Sequence, residues 1–146
     1  MIAIFDLDGT VADCAHRRYH VQKTPPSREA FYAALDEDAI IDATATIWRA
    51  LKRYGATILV CSGRNEGCRP ATELWLKRHD LAADAMYFRP AHDYRPDDTV
   101  KQDLLAEIIT AWGEVPDIAF EDRQRCVDMW RRNGIFCCQV TDGAEL

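Results

Sequence analysis

Apolar residues run without interruption from Ile2 to Phe5, and the same density returns in TILVC, Thr57 to Cys61. Short continuous runs bounded by polar residues predict strands buried on both faces. Weaker runs of the same kind occupy Ala85 to Phe88, Asp117 to Phe120 and Ile135 to Val140. Between them the period lengthens. Ile40, Thr44, Ile47, Trp48, Leu51 and Tyr54 follow three- and four-residue steps, and Gly55 is placed to stop the helix they predict. Val100, Leu104, Ile108 and Trp112 repeat at four before Gly113. A further helix is predicted over Arg123 to Asn133 on Cys126, Val127 and Trp130, with Gly134 just past its end. Strands alternating with helices imply an α/β fold, a parallel sheet of about five strands covered on both faces. The tryptophans Trp48, Trp75, Trp112 and Trp130 all fall on predicted helices and are expected to pack against that sheet.

From about Cys14 to Asp42 the pattern is less regular. HVQKTPPSREAF breaks at Pro25-Pro26 and then starts a short helix capped by Ser27, with Phe31 and Leu35 on one side. An insertion directly after the first strand lies over the strand ends, where open α/β sheets bind ligands. It is a cover for that crevice, too small for a full cap domain.

A length of 146 residues suits one domain, residues 1–146, with one core. No run approaches the roughly 20 apolar residues that span a bilayer, and no secretory leader is evident, so a cytoplasmic location is expected, that of the host if the protein is viral. None of the six cysteines forms a C-x-x-C pair, which argues for reduced thiols. A net charge of -6 excludes the global basic field of a protein that grips long duplex nucleic acid, but not a local basic pocket.

The chemistry begins at FDLDGT, Phe5 to Thr10, where two carboxylates stand one residue apart as the first strand leaves the core. Like charges this close repel, so stability alone does not explain them. An EF-hand loop needs its glycine sixth and an acid twelfth, after a helix, whereas Gly9 is fourth from Asp6 and follows a strand. A nucleophile and a general acid/base are the better account. Asp6 can attack a phosphomonoester, while Asp8 protonates the leaving alcohol and then deprotonates water. Approach of one anion to another requires a divalent cation and cationic side chains. Asp122 in FEDR, with Asp6 and Asp8, would form an oxygen-ligand set for Mg²⁺, and Glu121 is placed to support it. CSGR supplies Ser62, Gly63 and Arg64 to phosphoryl oxygens, Thr10 adds a hydroxyl, and RPDDTVK brings Lys101 at a helix start with Asp97 to aim it.

FDLDGT, CSGR, Lys101 and FEDR stand in the order of the four motifs of the haloacid dehalogenase (HAD) superfamily of phosphatases, which the chain resembles. DGTVADCAHR, RPDDTVK and DRQRCVDMWRRNGIFCCQV are similar to the phosphatase domain of phage polynucleotide kinases, which removes 3′-phosphates from nucleic-acid ends. The resemblance implies a doubly wound, Rossmann-like sheet with a small insertion near residues 14–42, and an aspartyl-phosphate on Asp6. It also implies arginines at the phosphate in Arg17 and Arg64. Arg89 beside Pro90 is a further phosphate or nucleotide contact. Glu121 departs from the phage pattern, which has an aspartate there. No G-x-x-x-x-G-K-[ST] occurs, so no kinase half is expected.

The expected substrate is a phosphorylated nucleic-acid end, particularly a 3′-end. A phosphatase of free nucleotides would share every motif. A phospho-accepting signalling domain would use similar strand-end acids, a hydroxyl and a lysine, but a general acid such as Asp8 serves turnover rather than storage. The oligomeric state leaves no mark on the sequence.

Overall fold

A computed structural model describes residues 1–143. Five strands, β1 (Ile2–Phe5), β4 (Thr57–Asn65), β5 (Ala85–Arg89), β6 (Ile118–Glu121) and β7 (Phe136–Gln139), form one parallel sheet in the order β5-β4-β1-β6-β7. The two short strands β2 (Ala12–Asp13) and β3 (Ala39–Ile40) pair antiparallel beside it. The helices are α1 (Tyr19–Gln22), α2 (Arg28–Ala33), α3 (Asp42–Tyr54), α4 (Arg69–Arg78), α5 (Asp97–Trp112) and α6 (Gln124–Arg132).

Alternation along β1 sorts its side chains to two cores. Ala3 and Phe5 face Trp48 of α3 and Trp75 of α4, while Ile2 and Ile4 face Val100, Leu104 and Ile108 of α5 and Trp130 of α6. Both faces are thereby covered, as the continuous apolar runs require. Phe5 also stacks on Phe120 of the neighbouring strand, ring centroids 4.4 Å apart.

The chain winds from β1 outward to β5 on one side, then returns to β6 and β7 on the other. The reversal lies at β1: the chain leaving β4 runs to α4 on one face and the chain leaving β6 runs to α6 on the other, which leaves a crevice at the carboxyl ends of these strands. The β2–β3 pair marks the base of the insertion, so the inserted segment proper is residues 14–38, slightly shorter than the sequence suggests. Ser27 caps α2 as expected, its Oγ accepting from Ala30 N–H at 3.2 Å.

Some expectations are corrected. Ile40 belongs to β3, and Ile47 and Tyr54 are exposed, because the buried stripe of α3 runs through Thr44, Ala45 and Trp48. Trp112 is 37% exposed at the end of α5 and donates its indole N–H to the Tyr87 hydroxyl at 3.0 Å. The strand carrying CSGR continues through those residues to Asn65.

Candidate active site

Asp6 follows the last residue of β1, and its backbone N–H bonds to Phe120 O at 3.0 Å, which fixes the carboxylate above the sheet. Lys101, one turn into α5 and 1% exposed, donates to Asp6 Oδ1 at 2.8 Å and to Glu121 Oε2 at 2.6 Å. Burial raises the Asp6 pKa, with the Glu121 and Asp8 charges adding to it, and Lys101 only partly offsets them, leaving it at about 7. The two carboxylates hold the Lys101 ammonium well above its usual range in spite of burial, so it stays charged.

Asp8 sits in a different field. Its Oδ1 accepts from Arg17 Nη2 at 2.6 Å and from Arg64 Nη2 at 2.6 Å and Nε at 3.1 Å. Burial alone would raise this carboxyl, but Arg64 and Arg17 outweigh it and hold the pKa at about 2. Behind them lies Asp38, which sequence reasoning missed. It accepts from Arg17 Nε at 2.7 Å and Nη2 at 2.6 Å, from Arg64 Nη2 at 3.2 Å, and pairs with His16 Nε2 at 2.8 Å. The sequence hides it: in LDEDA it reads as one of three acids in a solvated run.

Several expected contacts are revised. Arg17 is fully buried beneath Asp8, with its guanidinium 4.2 Å from the Phe31 ring centroid, and does not line the cavity that Asp6 and Asp8 open into. Thr10 is also buried away from that cavity, and its hydroxyl donates to Asp6 Oδ2 at 3.5 Å. Arg89 reaches the cavity, yet four of its N–H groups are committed to protein: to Gly63 O at 3.0 Å, Asp93 O at 3.1 Å, Arg95 O at 2.7 Å, and Asp97 Oδ1. Asp97 bonds Arg89 and Arg123 rather than Lys101. The nearby cations lower its pKa against the opposing effect of burial. Ser62, Gly63, Arg64 and Lys101 do line the cavity.

Asp6, Glu121 and Asp122 each bring a carboxylate oxygen within 4.8 Å of the others. Glu121 has little left to offer a metal. Its Oε2 accepts from Lys101 and from Trp130 Nε1 at 3.3 Å, and its Oε1 faces the backbone N–H groups of Asp122 and Arg123 at 3.2 and 3.3 Å. Asp122 Oδ1, by contrast, is buried with no hydrogen-bond partner among the described residues. Burial and the Asp6 charge raise the Asp122 pKa to about 6. An orphaned carboxylate oxygen beside a crowded acid fits a hard divalent cation held through one or two carboxylates. Gly9 is what lets Asp122 approach. Its φ is +85°, and a Cβ there would stand 2.3 Å from Asp122 Oδ2.

Among the described residues, the cavity of about 340 Å³ is lined by seven basic side chains and by the acids Asp6, Asp8 and Asp97, within a chain of net charge -6. Its chemistry is that of an anion-binding crevice into which the Asp6 and Asp8 carboxylates open.

Comparison with known proteins adds the lineage. Residues 1–144 match the family model of the polynucleotide kinase PNKP phosphatase domain. The chain belongs to that family. As a PNKP-type phosphatase domain of the HAD superfamily, it shares its fold with a chain in a structure of a Pnkp1/Rnl/Hen1 complex, at 30% identity and a TM-score of 0.81 over 99% of this chain and 47% of that one. A chain of the Pnkp1/Rnl/Hen1 RNA repair complex gives 28% identity and a TM-score of 0.79, covering 96% of this chain and 42% of that one. This phosphatase thus spans less than half the length of those two chains. A predicted phosphatase from Clostridium acetobutylicum shares the fold at 16% identity and a TM-score of 0.65, over 94% of this chain and 83% of its own.

Proposed function

We propose that this phosphatase is an Mg²⁺-dependent polynucleotide 3′-phosphatase working through an aspartyl-phosphate on Asp6. The observation that carries the reading is the cavity around Asp6, where seven basic side chains face three acids in a chain that is acidic overall. Membership of the PNKP phosphatase family supports the same substrate class. Asp6 and Asp122 would hold the metal through their side chains and Asp8 through its main-chain carbonyl. When bound, the cation neutralises charge between the attacking carboxylate and the phosphate.

In the first half-reaction an Asp6 oxygen attacks phosphorus, the bond from phosphorus to the 3′-oxygen breaks, and Asp8 gives its proton to the departing alkoxide. Asp8 is ionised in the free protein, so the proton it gives is one it first takes from the incoming phosphomonoester monoanion or from solvent, as the substrate phosphate draws Arg64 away from it. In the second, Asp8 takes a proton from water, whose oxygen attacks the phosphorus of phospho-Asp6. The acyl phosphate bond breaks, Asp6 returns as a carboxylate and inorganic phosphate leaves. Lys101 stays charged beside Asp6 throughout and stabilises the transferring group.

The test is a side-by-side assay in Mg²⁺ on 3′-phosphorylated oligonucleotides, 5′-phosphorylated oligonucleotides, and free 3′- and 5′-nucleotides. The highest kcat/KM is expected for the 3′-phosphorylated oligonucleotides. Preference for free nucleotides would make the protein a nucleotidase. Asp6→Asn is expected to abolish turnover with thermal stability retained, and retained turnover would overturn the mechanism.

A further inference from the structure

The loop between β5 and α5 carries Tyr94, whose side chain lines the same cavity as Asp6 yet lies 71% exposed at its mouth. Its position is set from beneath. The buried guanidinium of Arg89 donates to the carbonyls of Asp93 and Arg95, the residues on either side of Tyr94, and also to Gly63 at the end of β4. Asp93 further accepts from Arg95 N–H at 3.1 Å. An exposed aromatic ring is thereby mounted on the same strand ends that position the nucleophile.

Across the mouth, Arg28 of α2 places its guanidinium 5.8 Å from the centroid of the Tyr94 ring. The insertion and the β5–α5 loop therefore meet through a cation–π contact, within the roughly 6 Å over which that attraction holds. Pro26 and Pro96 extend the apolar part of this rim. The cavity, about 340 Å³, falls in the range of roughly 300–1,000 Å³ that takes drug-sized ligands, well beyond one phosphate group. Charge gathers at its floor, whereas an aromatic face and a planar cation stand at its edge.

We propose that Tyr94 and Arg28 form a stacking platform for the nucleobase of the terminal nucleoside, the one whose 3′-phosphate is seated at Asp6. The inference rests on the nucleic-acid reading above and deepens it. A base stacks on the Tyr94 ring face and pushes the Arg28 guanidinium, on its flexible side chain, outward to cover the base's other side; both groups stack on any of the four bases, so the platform binds without choosing sequence. Arg89 acts here as a positioning residue, holding the platform at a fixed height over the nucleophile.

The experiment compares kcat/KM for 3′-phosphorylated dinucleotides whose terminal sugar carries a base or is abasic. In the unaltered protein the base-bearing substrate is expected to win by on the order of ten-fold, through KM, since base–aromatic stacking is worth about 1–3 kcal/mol. Tyr94→Ala is expected to bring the ratio close to one and Tyr94→Trp to preserve it. Equal kcat/KM for both substrates in the unaltered protein, or a ratio unmoved by Tyr94→Ala, overturns the platform and leaves the phosphatase reading standing. Failure to hydrolyse either substrate, with free 5′-nucleotides turned over, sinks the nucleic-acid reading and the platform with it.

Discussion

Asp6 and Asp8 are separated by one residue and both are buried, yet the pKa of one is raised and that of the other lowered, because Asp6 faces Lys101 and two acids whereas Asp8 faces two arginines. That division was half visible in the sequence: FDLDGT announces the pair, but nothing in it says which cations each acid meets. Arg17 illustrates what was hidden. It was expected to touch the substrate, but it is sealed between Asp8 and Asp38, and only the folded insertion reveals the second partner. Arg17→Ala leaves Asp38 buried with one guanidinium fewer, and the loss of stability is expected to be about 3–5 kcal/mol, read by denaturant unfolding. Activity falls alike on oligonucleotides and small phosphate esters; a loss confined to oligonucleotides would restore its role in specificity. The acidic cluster of Asp6, Glu121 and Asp122 makes a second prediction. Asp6 at about 7 and Asp122 at about 6 hold protons that the unfolded chain has released above about 4, so their contribution to stability is present at low pH and is lost as pH rises toward 7. A divalent cation displaces those protons, so Mg²⁺ is expected to raise Tm more at pH 8 than at pH 5. Equal shifts at both pH values would argue against carboxylate coordination.

The five strands of the parallel sheet and the helices α3, α5 and α6 were readable because each has an apolar run or a repeating apolar face, whereas the two-residue strands β2 and β3 were not. The limits of β4 were not, since Ser62 to Asn65 are polar and continue the strand only through pairing with Phe88 and Arg89, with an irregularity between Ser62 and Asn65. That continuation brings the Gly63 backbone against α5. A Cβ at Gly63 would stand 2.8 Å from Asp97 Oδ1, and the Gly63 carbonyl accepts from both Arg89 and the Tyr32 hydroxyl. Gly63→Ala is therefore expected to push Asp97 off Arg89 and Arg123 and to lower kcat/KM at least ten-fold, with Tm falling by only a few degrees. Circular dichroism melts beside kinetics would check it, and unchanged kinetics would mean that the contact gives way without consequence. The helix faces themselves were read too broadly. Ile47 and Tyr54 follow the period yet point outward, because the sheet covers only the side of α3 that carries Ala45 and Trp48.

Across the molecule, charge is segregated: net negative overall, with seven basic side chains gathered in one crevice. Such a field draws polyanions to the mouth and is screened by salt. Raising ionic strength is expected to increase KM for a 3′-phosphorylated oligonucleotide more steeply than for a free nucleotide, because the longer anion loses more contacts. Parallel salt dependences would place all productive charge contacts at the single phosphate. The insertion completes the picture. Its base is bolted down at Asp38, whose carboxylate binds Arg17 and Arg64 and whose carbonyl accepts from Trp75 of α4 at 2.9 Å, and further out the Tyr32 hydroxyl of α2 donates to Gly63 O at 3.3 Å. Swinging the segment away would take the Asp38 carboxylate from two buried guanidiniums, leaving them to share Asp8, and would break the bond from Tyr32 to Gly63, so the contacts favour a fixed bracket over a door. A substrate bound here need not be swallowed whole. A strand of any length could rest its tip in the crevice while the remainder trails into solvent, and its departure would not have to wait for a gate to open.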